Sequence, residues 1–388
     1  MSINIKSTGT VMRVTCAGFF LLFSFFYVYN YQADVLYVLQ HVLSGGVTTY
    51  NRTIGAVLIV LLLYLLHAAM VAVTSLRGQA YALTYFPSLL LLGILTDVET
   101  CMGSSGYPGH WVWLFPLLMV LYAGVVYVCR QLESVARPAL SEGFFSRTTW
   151  GNLLLMVLMA FMTGSIGCNN DLTHFRTSME CRMYESNNDA ALSIGAKSTA
   201  TDSTLTMLRI WALSEKGELG DRLFSYPLVG GSDAMLPNGH SIRLLLLPEK
   251  KLYSHLGVYF RQKLRPIVYL EKLHQRHYAT KAAHDWLLSA YLLDGRLDDF
   301  VRALPRYYKI SGALPLHYRE ALTLYTHLRA HPIIIYHSTV MDQDYEDMLD
   351  LEKKYTHPEE RANMIRDTYG KTYWWYYYQL TNRYKQED

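Results

Sequence analysis

Apolar residues dominate the first 167 positions of the chain and gather in stretches separated by short polar segments. The last stretch, Trp150–Gly167, runs for eighteen residues without a charge, about the length that an α-helix needs to cross the hydrocarbon core of a bilayer. Five such stretches stand out: Val11–Tyr29, Ile54–Thr74, Ala82–Thr96, Trp111–Val128 and Trp150–Gly167. The pattern predicts five transmembrane helices in residues 1–168 and a polar domain in residues 169–388. Because the third stretch is short and contains Pro87, we expect a helix that is kinked or begins earlier.

Lys and Arg are unevenly distributed over the short segments around these stretches. With the N-terminus in the cytoplasm, six of them fall on the cytoplasmic side, and Arg52 alone falls on the other. Cytoplasmic loops of membrane proteins carry such an excess of Lys and Arg. We therefore expect a cytoplasmic N-terminus and an extracytoplasmic C-terminal domain. In a bacterium, this describes a multi-pass inner-membrane protein with a periplasmic domain.

The first predicted outer loop, Asn30–Thr53, carries apolar residues at helical spacing, which predicts a short amphipathic helix on the outer membrane face. Asp34 lies in this loop, and Asp97 and Glu99 lie in the second outer loop. The placement of Asp34 resembles that of the acidic residue which membrane glycosyltransferases with polyprenyl-linked donors carry in their first outer loop. This resemblance implies an enzyme of lipid-linked sugar or envelope glycan chemistry, with these three carboxylates as catalytic candidates. The alternative is that Asp34 caps the loop helix and that the other two are simply solvated.

Apart from Arg13 near the start of the first stretch, the predicted spans contain no Asp, Glu, Lys or Arg. Transport pathways and proton relays in membrane proteins are built from such residues, so the sequence does not favour either. His67 is the titratable residue at depth in the second stretch. We expect it to be neutral and bonded to a neighbouring helix.

After residue 168 the chain reads as helix after helix, and two of its segments are alike. They are Leu208–Leu223 (LRIWALSEKGELGDRL) and Trp286–Val301 (WLLSAYLLDGRLDDFV). Aligning Gly217 with Gly295 also aligns Leu219 with Leu297. In each segment an apolar helix ends at a glycine, which permits the left-handed turn that closes a helix, and a second helix follows.

The spacing of Leu287, Tyr291, Gly295 and Leu297 resembles that of the tetratricopeptide repeat, a helix–turn–helix unit that stacks into a solenoid. The resemblance implies a scaffold that binds a protein segment on its concave face. First helices such as Thr280–Asp294 would form that face, with His284, Asp285 and Tyr291 contacting the partner. Phe300 and Pro305 depart from the repeat pattern. The whole chain also resembles an uncharacterised bacterial inner-membrane family that joins several N-terminal spans to C-terminal helical repeats, which implies architecture and location but no activity.

Seven of the ten residues from Tyr369 to Tyr378 are aromatic. Aromatic side chains bury large areas and carry polar tips suited to an interface. One interpretation is a closing helix whose aromatic face packs on the last repeat, since the end of a solenoid must be capped. The other is a contact with a partner or the membrane surface through residues such as Trp374 and Trp375.

Charge and motifs exclude several function classes. The part after Cys168 holds 28 Lys and Arg residues against 27 Asp and Glu, so no basic face is indicated and nucleic-acid binding is not expected. No phosphate-binding loop, zinc-protease or nucleophile-elbow motif occurs. His274 and His277 lack a third ligand at suitable spacing, and we predict no metal or cofactor. Cys168 and Cys181 fall outside the cytoplasm in this topology, where a disulfide between them is feasible.

Together these observations favour an all-α membrane protein that is not an enzyme. We expect an adaptor or scaffold, anchored in the bilayer, that binds an envelope or membrane protein through its extracytoplasmic helical repeats. It would act alone or as a subunit of an envelope complex.

Overall fold

The computed structural model describes residues 2–98, 109–133, 143–239, 242–260, 262 and 264–387, and every regular element in these ranges is helical. The all-α fold expected from the sequence is thereby confirmed. The chain divides into two compact units, Met1–Thr177 and Ser178–Asp388. The division falls inside a helix, Asp171–Tyr184, and not at the end of the last apolar helix.

The first unit contains the apolar helices. They are α1 (Ser2–Phe26), α2 (Ala33–Leu43), α3 (Arg52–Thr74), α4 (Phe86–Thr96), α5 (Trp111–Glu133) and α6 (Arg147–Ile166), followed by α7 (Asp171–Tyr184). Five helical segments are long and apolar enough to cross a membrane: Gly9–Tyr31, Arg52–Thr74, Gly78–Thr96, Trp111–Leu132 and Arg147–Ile166. The third combines a 3₁₀ segment, Gly78–Tyr85, with α4, so this helix does begin earlier than its most apolar part. Pro87 lies in the first turn of α4, where its missing N–H costs no hydrogen bond.

Polar side chains connect neighbouring helices inside the first unit. The Asn152 side chain on α6 accepts a hydrogen bond from Ala82 N at 2.6 Å and donates one to Gly78 O at 2.8 Å. Ser88 Oγ on α4 donates to Leu63 O on α3 at 2.8 Å. In apolar surroundings such groups must find their partners within the protein, so these bonds fix how the helices pack.

His67 on α3 is bonded to the 3₁₀ segment that precedes α4, as expected from the sequence. Its Nδ1 lies 3.2 Å from Thr84 Oγ1, and its Nε2 lies 3.4 Å from the hydroxyl of Tyr81. The imidazole also stacks on the ring of Tyr85 with 3.5 Å between centroids. These contacts satisfy both ring nitrogens inside the unit.

Helix α2 forms where the sequence predicts it, and most of its apolar residues pack within the first unit. Val35, Leu36 and Val38 are at most 4% exposed, and the first two belong to the hydrophobic core that α1 and α6 also build. Gly45 and Gly46 adopt positive φ angles just after its end. Its apolar face is therefore used for packing within the first unit.

The second unit contains the remaining helices. They are α8 (Asn188–Ser193), α9 (Ser203–Lys216), α10 (Leu219–Arg222), α11 (Glu249–Leu256), α12 (Pro266–Gln275), α13 (Lys281–Leu293), α14 (Leu297–Ala303), α15 (Leu316–Leu328), α16 (Thr339–Lys354), α17 (Pro358–Tyr369) and α18 (Tyr373–Glu387). In α16 the apolar residues Met341, Tyr345 and Met348 are buried. The acidic residues between them make this helix amphipathic.

Helices α9–α10 and α13–α14 form the two helix–glycine–helix pairs that the sequence indicates. Gly217 and Gly295 have φ angles of +69° and +67°, the left-handed conformation that closes the first helix. Leu219 and Leu297 begin the second helices and are each 1% exposed, so they cover the core of their pair. The second helices have only four and seven residues, and both continue into a 3₁₀ turn.

The aromatic C-terminal segment closes the second unit. Tyr373 is fully buried and donates its hydroxyl to Leu292 O at 3.2 Å, and Tyr376 donates to Leu293 O at 2.8 Å. These carbonyls belong to the last turn of α13, where Leu292 O also accepts a hydrogen bond from Gly295 N at 3.1 Å. The packing interpretation of the aromatic run is therefore confirmed for these residues.

Candidate binding groove

A groove of about 740 Å³ opens on the second unit between α12, α13 and the end of α14. We call it the histidine groove. Its lining residues are Glu271, His274, Gln275, His277, Ala279, His284, Leu287, Tyr291, Ala303, Arg306 and Tyr307. The volume lies within the range of natural ligand sites, and the lining combines apolar, aromatic and polar side chains as such sites do.

A tight turn brings the two histidine-bearing helices together. Tyr278 N donates to Leu273 O at 2.9 Å, which closes α12, and His277 takes a left-handed φ of 58° in this turn. Thr280 then caps the N-terminus of α13 and donates its hydroxyl to His255 O at 2.7 Å. Because of this connection, His274 near the end of α12 faces His284 near the start of α13.

The imidazole of His274 is held in one tautomer. Its Nδ1 lies 2.7 Å from Leu270 O, and since a carbonyl oxygen only accepts, Nδ1 carries the proton. Nε2 is then an acceptor, and it is buried without a hydrogen-bond partner among the described residues. Burial lowers the pKa of His274, the Leu270 carbonyl opposes this, and His284 and Arg306 lower the pKa further. The imidazole of His274 is therefore neutral at pH 7, and its Nε2 is a buried acceptor without a hydrogen-bond partner among the described residues.

Aromatic stacking fixes the other side of the groove. The rings of His284 and Tyr307 are stacked with 4.3 Å between centroids and 21° between planes. His274 lies 5.3 Å from each of them. Burial lowers the pKa of His284, Asp285 raises it and Lys281 lowers it. The stack gives a preformed surface, since the rings hold one another in place.

Charged side chains of both signs lie in and beside the groove. Arg306 lines the groove and is exposed, and Lys281 is exposed beside His284. No ion pair joins either of them to a carboxylate of the residues that the structure describes. Glu271, the acidic residue of the lining, accepts a hydrogen bond from the hydroxyl of Tyr291 at 3.1 Å. A ligand would thus meet both the guanidinium of Arg306 and the carboxylate of Glu271.

Of the partner-binding residues predicted from sequence, His284 and Tyr291 line this groove. Asp285 does not, because its Oδ1 accepts hydrogen bonds from the hydroxyls of Tyr308 at 2.7 Å and Tyr318 at 3.0 Å. Burial raises the pKa of Asp285, and these two hydrogen bonds oppose the shift. Asp285 therefore holds the packing behind the groove.

The two predicted tryptophan contacts have different surroundings. Trp374 is 3% exposed, and its Nε1 donates to Glu320 O at 2.8 Å, so its side chain is used inside the unit. Trp375 is half-buried and stacks on Tyr378 with 5.7 Å between centroids. Neither residue lines the histidine groove.

Sequence reasoning missed His274, Arg306 and Tyr307 as groove residues. His274 follows Leu270 by four positions, which places it on the apolar face of α12, and this spacing is the signal that distinguishes it from a surface histidine. Tyr307 and Arg306 follow Pro305, where the chain leaves α14. Nothing local in the sequence indicates that they turn back toward α12.

The acidic candidates of the first unit are engaged by their own neighbours. Asp34 lies in the first turn of α2, and its Oδ1 is 3.0 Å from Arg52 Nη2. Asp97 accepts a hydrogen bond from Trp111 Nε1 at 2.7 Å and lies 3.7 Å from His110 Nε2. Glu99 lies outside the described residues.

Neither metal-site geometry nor a disulfide is present in the described part of the chain. No group of three or more His, Cys, Asp or Glu residues there is placed to hold a metal ion. Cys168 and Cys181 are both buried thiols, so the disulfide that the topology allowed is not formed.

Comparison with known proteins adds one family. Residues 258–380 match the model of a family of unknown function, DUF6057, and this match spans α12 to the first half of α18 with the whole histidine groove. This family model is not that of the tetratricopeptide repeat. No curated protein and no solved structure matches the chain.

Proposed function

We propose that this protein is a membrane-anchored adaptor that binds a segment of a protein partner in the histidine groove. The groove itself carries the proposal: it is preformed by the His284–Tyr307 stack, it is open, and its lining combines aromatic, apolar and charged side chains. Rigid aromatic side chains with polar edges are the residues that anchor protein partners, because little conformational freedom is lost when they bind.

The membrane topology is part of the proposal. Its supports are the five apolar helices, their outward-facing apolar side chains such as Leu62, Val120 and Phe161, and the distribution of Lys and Arg over the loops. The second unit would then be periplasmic and present its groove to an envelope or membrane protein. A C-terminal alkaline phosphatase fusion should be active, whereas a fluorescent C-terminal cytoplasmic reporter with an inactive phosphatase would contradict this orientation.

The helix–glycine–helix pairs support a degenerate form of the tetratricopeptide-like repeat. In such scaffolds the first helix of each pair faces the ligand. Helix α13, a first helix, contributes His284, Leu287 and Tyr291 to the groove. The partner would therefore be recognised by the face that repeat scaffolds use, although the second helices here are shortened.

Binding is tested by purification from native membranes in mild detergent, followed by mass spectrometry of the proteins retained. Tyr307→Ala removes one ring of the stack, and Tyr355→Ala, on a tyrosine outside the groove, is the matched control. We expect a stoichiometric partner that is retained by wild type and the control and lost from Tyr307→Ala. Equal retention by all three proteins, with Tyr307→Ala folded, would contradict the proposal.

The alternative enzyme function of Asp34 is supported only by the position of this residue in the first predicted outer loop. Its carboxylate is paired with Arg52, the basic residue of the same outer loop. We do not propose it as the function, and its test is given in the Discussion.

A further inference from the structure

A second groove, of about 670 Å³, lies in the first unit between the C-terminal parts of α3 and α5, and we call it the α3–α5 groove. It forms because α5 packs mainly on the chain that follows α3. Tyr122 and Val126 of α5 are buried together with Leu76 and Ala80, which come after the end of α3. This packing leaves the groove between the two helices.

The lining is apolar over most of its length and basic at one end. Met70 of α3 and the α5 residues Met119 and Ala123 belong to the apolar part, and Arg130 and Gln131 belong to the polar end. The side chain of Arg130 is exposed. Neither Asp nor Glu occurs among the described residues of the lining, and no ion pair joins Arg130 to a carboxylate within the described part of the chain. An occupant would therefore meet hydrocarbon along the groove and a cation at its end.

The length of the groove corresponds to one leaflet of a bilayer. From Met119 to Arg130 the helix advances eleven residues, which is about 17 Å at a rise of 1.5 Å per residue. Half of the hydrocarbon core of a bilayer is about 15 Å thick. Tyr127, which is exposed and also lines the groove, lies one turn before Arg130, and tyrosines are enriched at membrane–water interfaces. In the topology proposed above, Arg130 lies at the cytoplasmic surface and Met119 lies near the midplane.

These features favour a lipid over a second transmembrane helix. Each leaflet supplies hydrocarbon chains that end at a headgroup, and basic pockets between transmembrane helices on the cytoplasmic side bind anionic headgroups. Helices, by contrast, associate in membranes through small residues that let their backbones approach. The long side chains of Met70, Met119 and Tyr127 line the opening and keep a helix backbone at a distance. A single hydrocarbon chain fits between such side chains.

We propose that the α3–α5 groove binds one anionic phospholipid of the cytoplasmic leaflet, with an acyl chain along the apolar lining and the phosphate on Arg130. Pairing of a guanidinium with a phosphate is strong and directional. The bound lipid would add contacts to α5, which is the least buried of the five candidate spans. The inference goes beyond the adaptor function and rests only on the membrane topology that was proposed with it.

The test is native mass spectrometry of the full-length protein in nonionic detergent, titrated with phosphatidylglycerol. Phosphatidylcholine with the same acyl chains is the control probe, since its choline group balances the charge of the phosphate. We expect one phosphatidylglycerol per chain, bound about fivefold more tightly than phosphatidylcholine, which is the factor expected for one arginine at an anionic lipid surface. Equal affinities for the two lipids would overturn the inference.

Variants separate the headgroup contact from the chain contact. Arg130→Gln should remove the preference for phosphatidylglycerol, whereas Arg147→Gln, an exposed arginine at the start of α6 outside the lining, should keep it. Ala123→Trp fills the groove and should abolish the binding of both lipids. Leu121→Trp, at an exposed position of α5 outside the lining, should leave both unchanged. Equal effects within either pair of variants would contradict the assignment.

Crosslinking in native membranes identifies the class of the occupant. A photoreactive phenylalanine derivative in place of Tyr127 should add the mass of a phospholipid to the chain. A protein adduct at this position without a lipid adduct would overturn the inference and reveal a transmembrane partner. Glycerol phosphate, which lacks acyl chains, should not displace phosphatidylglycerol, and displacement at equal concentration would show a site for free phosphate esters instead.

Failure of this inference can be distinguished from failure of the proposed function. The alkaline phosphatase fusion tests the topology without reference to any lipid, and partner retention tests the histidine groove. An active fusion together with equal binding of the two lipids would mean that the lipid site is wrong and that the topology stands.

Discussion

Glu320 Oε2 lies 2.8 Å from His317 Nδ1, and the two residues are 3% and 0% exposed. His317 Nε2 accepts a hydrogen bond from Phe224 N at 3.2 Å, so this nitrogen carries a lone pair and Nδ1 carries the proton. His317 therefore donates to Glu320. The same Oε2 also accepts from Tyr373 N at 2.7 Å. One carboxylate on α15 thus joins the first turn of its own helix to the first residue of α18.

This relationship predicts a large effect of truncating Glu320. Glu320→Ala leaves two buried donors without an acceptor, and we expect a loss of about 2–4 kcal/mol in the free energy of unfolding. Glu320→Gln keeps an oxygen that can accept both bonds, so it should cost only about 1 kcal/mol. Denaturant unfolding of the full chain in detergent measures both. A loss below about 0.5 kcal/mol for Glu320→Ala would show that the network does not hold α18.

The buried Asp285 carboxylate gives a prediction for the pH dependence of stability. Burial raises its pKa in the folded protein above the unfolded value, so the folded state binds the proton more tightly. The stability that Asp285 contributes is then largest at acidic pH and decreases as the pH rises from the unfolded pKa through the folded one.

Asp285→Asn removes this titration and keeps an oxygen that accepts from Tyr308 and Tyr318. We expect its stability at pH 7 to equal or exceed that of wild type, and its stability to depend less on pH between 4 and 7. Asp285→Ala, the control, loses both bonds and should be less stable by about 1–3 kcal/mol. Thermal unfolding across this pH range measures both variants, and a strong loss in Asp285→Asn at pH 7 would refute the argument.

The two glycines that close α9 and α13 can be separated by substitution. A Cβ at Gly217 would meet no atom within 4 Å, so Gly217→Ala should cost only the strain of its left-handed backbone, about 1 kcal/mol. A Cβ at Gly295 would lie 2.8 Å from Leu380 Cδ2, so Gly295→Ala should cost about 1 kcal/mol more. Chemical denaturation checks the order. Equal losses would show that Leu380 yields without cost.

Some of this fold follows from local sequence, and some does not. The glycine turns at Gly217 and Gly295, the buried Leu219 and Leu297 and the five apolar helices depend on spacing within a dozen or two residues, and all were predictable. Glu180 was not. It is 1% exposed and accepts hydrogen bonds from Leu245 N and Leu246 N at 3.0 and 2.8 Å. The sequence around this carboxylate does not indicate such a long-range contact.

The histidine groove, likewise, could be predicted from the sequence only in part. His284 and Tyr291 lie on one predicted helix, and their presence on one surface follows from helical periodicity. Tyr307 stacks on His284 from 23 positions further along the chain, and that contact depends on how the chain turns after Pro305. Trp374 was offered as a partner contact, but its side chain is buried. The sequence could not separate the two cases, because an aromatic side chain is equally suited to an interface and to a core.

Asp34 separates the adaptor from the alternative enzyme. As a half-exposed ion pair with Arg52, it should contribute no more than about 1 kcal/mol of stability. We expect Asp34→Asn to leave the protein level and partner retention within about twofold of wild type, measured by immunoblot and by the purification described above. Complete loss of a cellular phenotype at normal protein level would favour the enzyme. Failure of the charge-reversed double variant, Asp34→Arg with Arg52→Asp, to restore it would confirm that the carboxylate itself is needed.

The central claim is that a protein partner occupies the histidine groove in the cell, and photo-crosslinking tests it most directly. A photoreactive phenylalanine derivative replaces Gln275, an exposed residue of the groove lining, and Glu346, an exposed residue of α16 outside it, serves as the control position. The adaptor account predicts one dominant crosslinked protein from position 275, absent at position 346 and lost when Arg306→Gln or Tyr307→Ala is added. No protein crosslink at position 275, or the same crosslinks at both positions, would contradict the account.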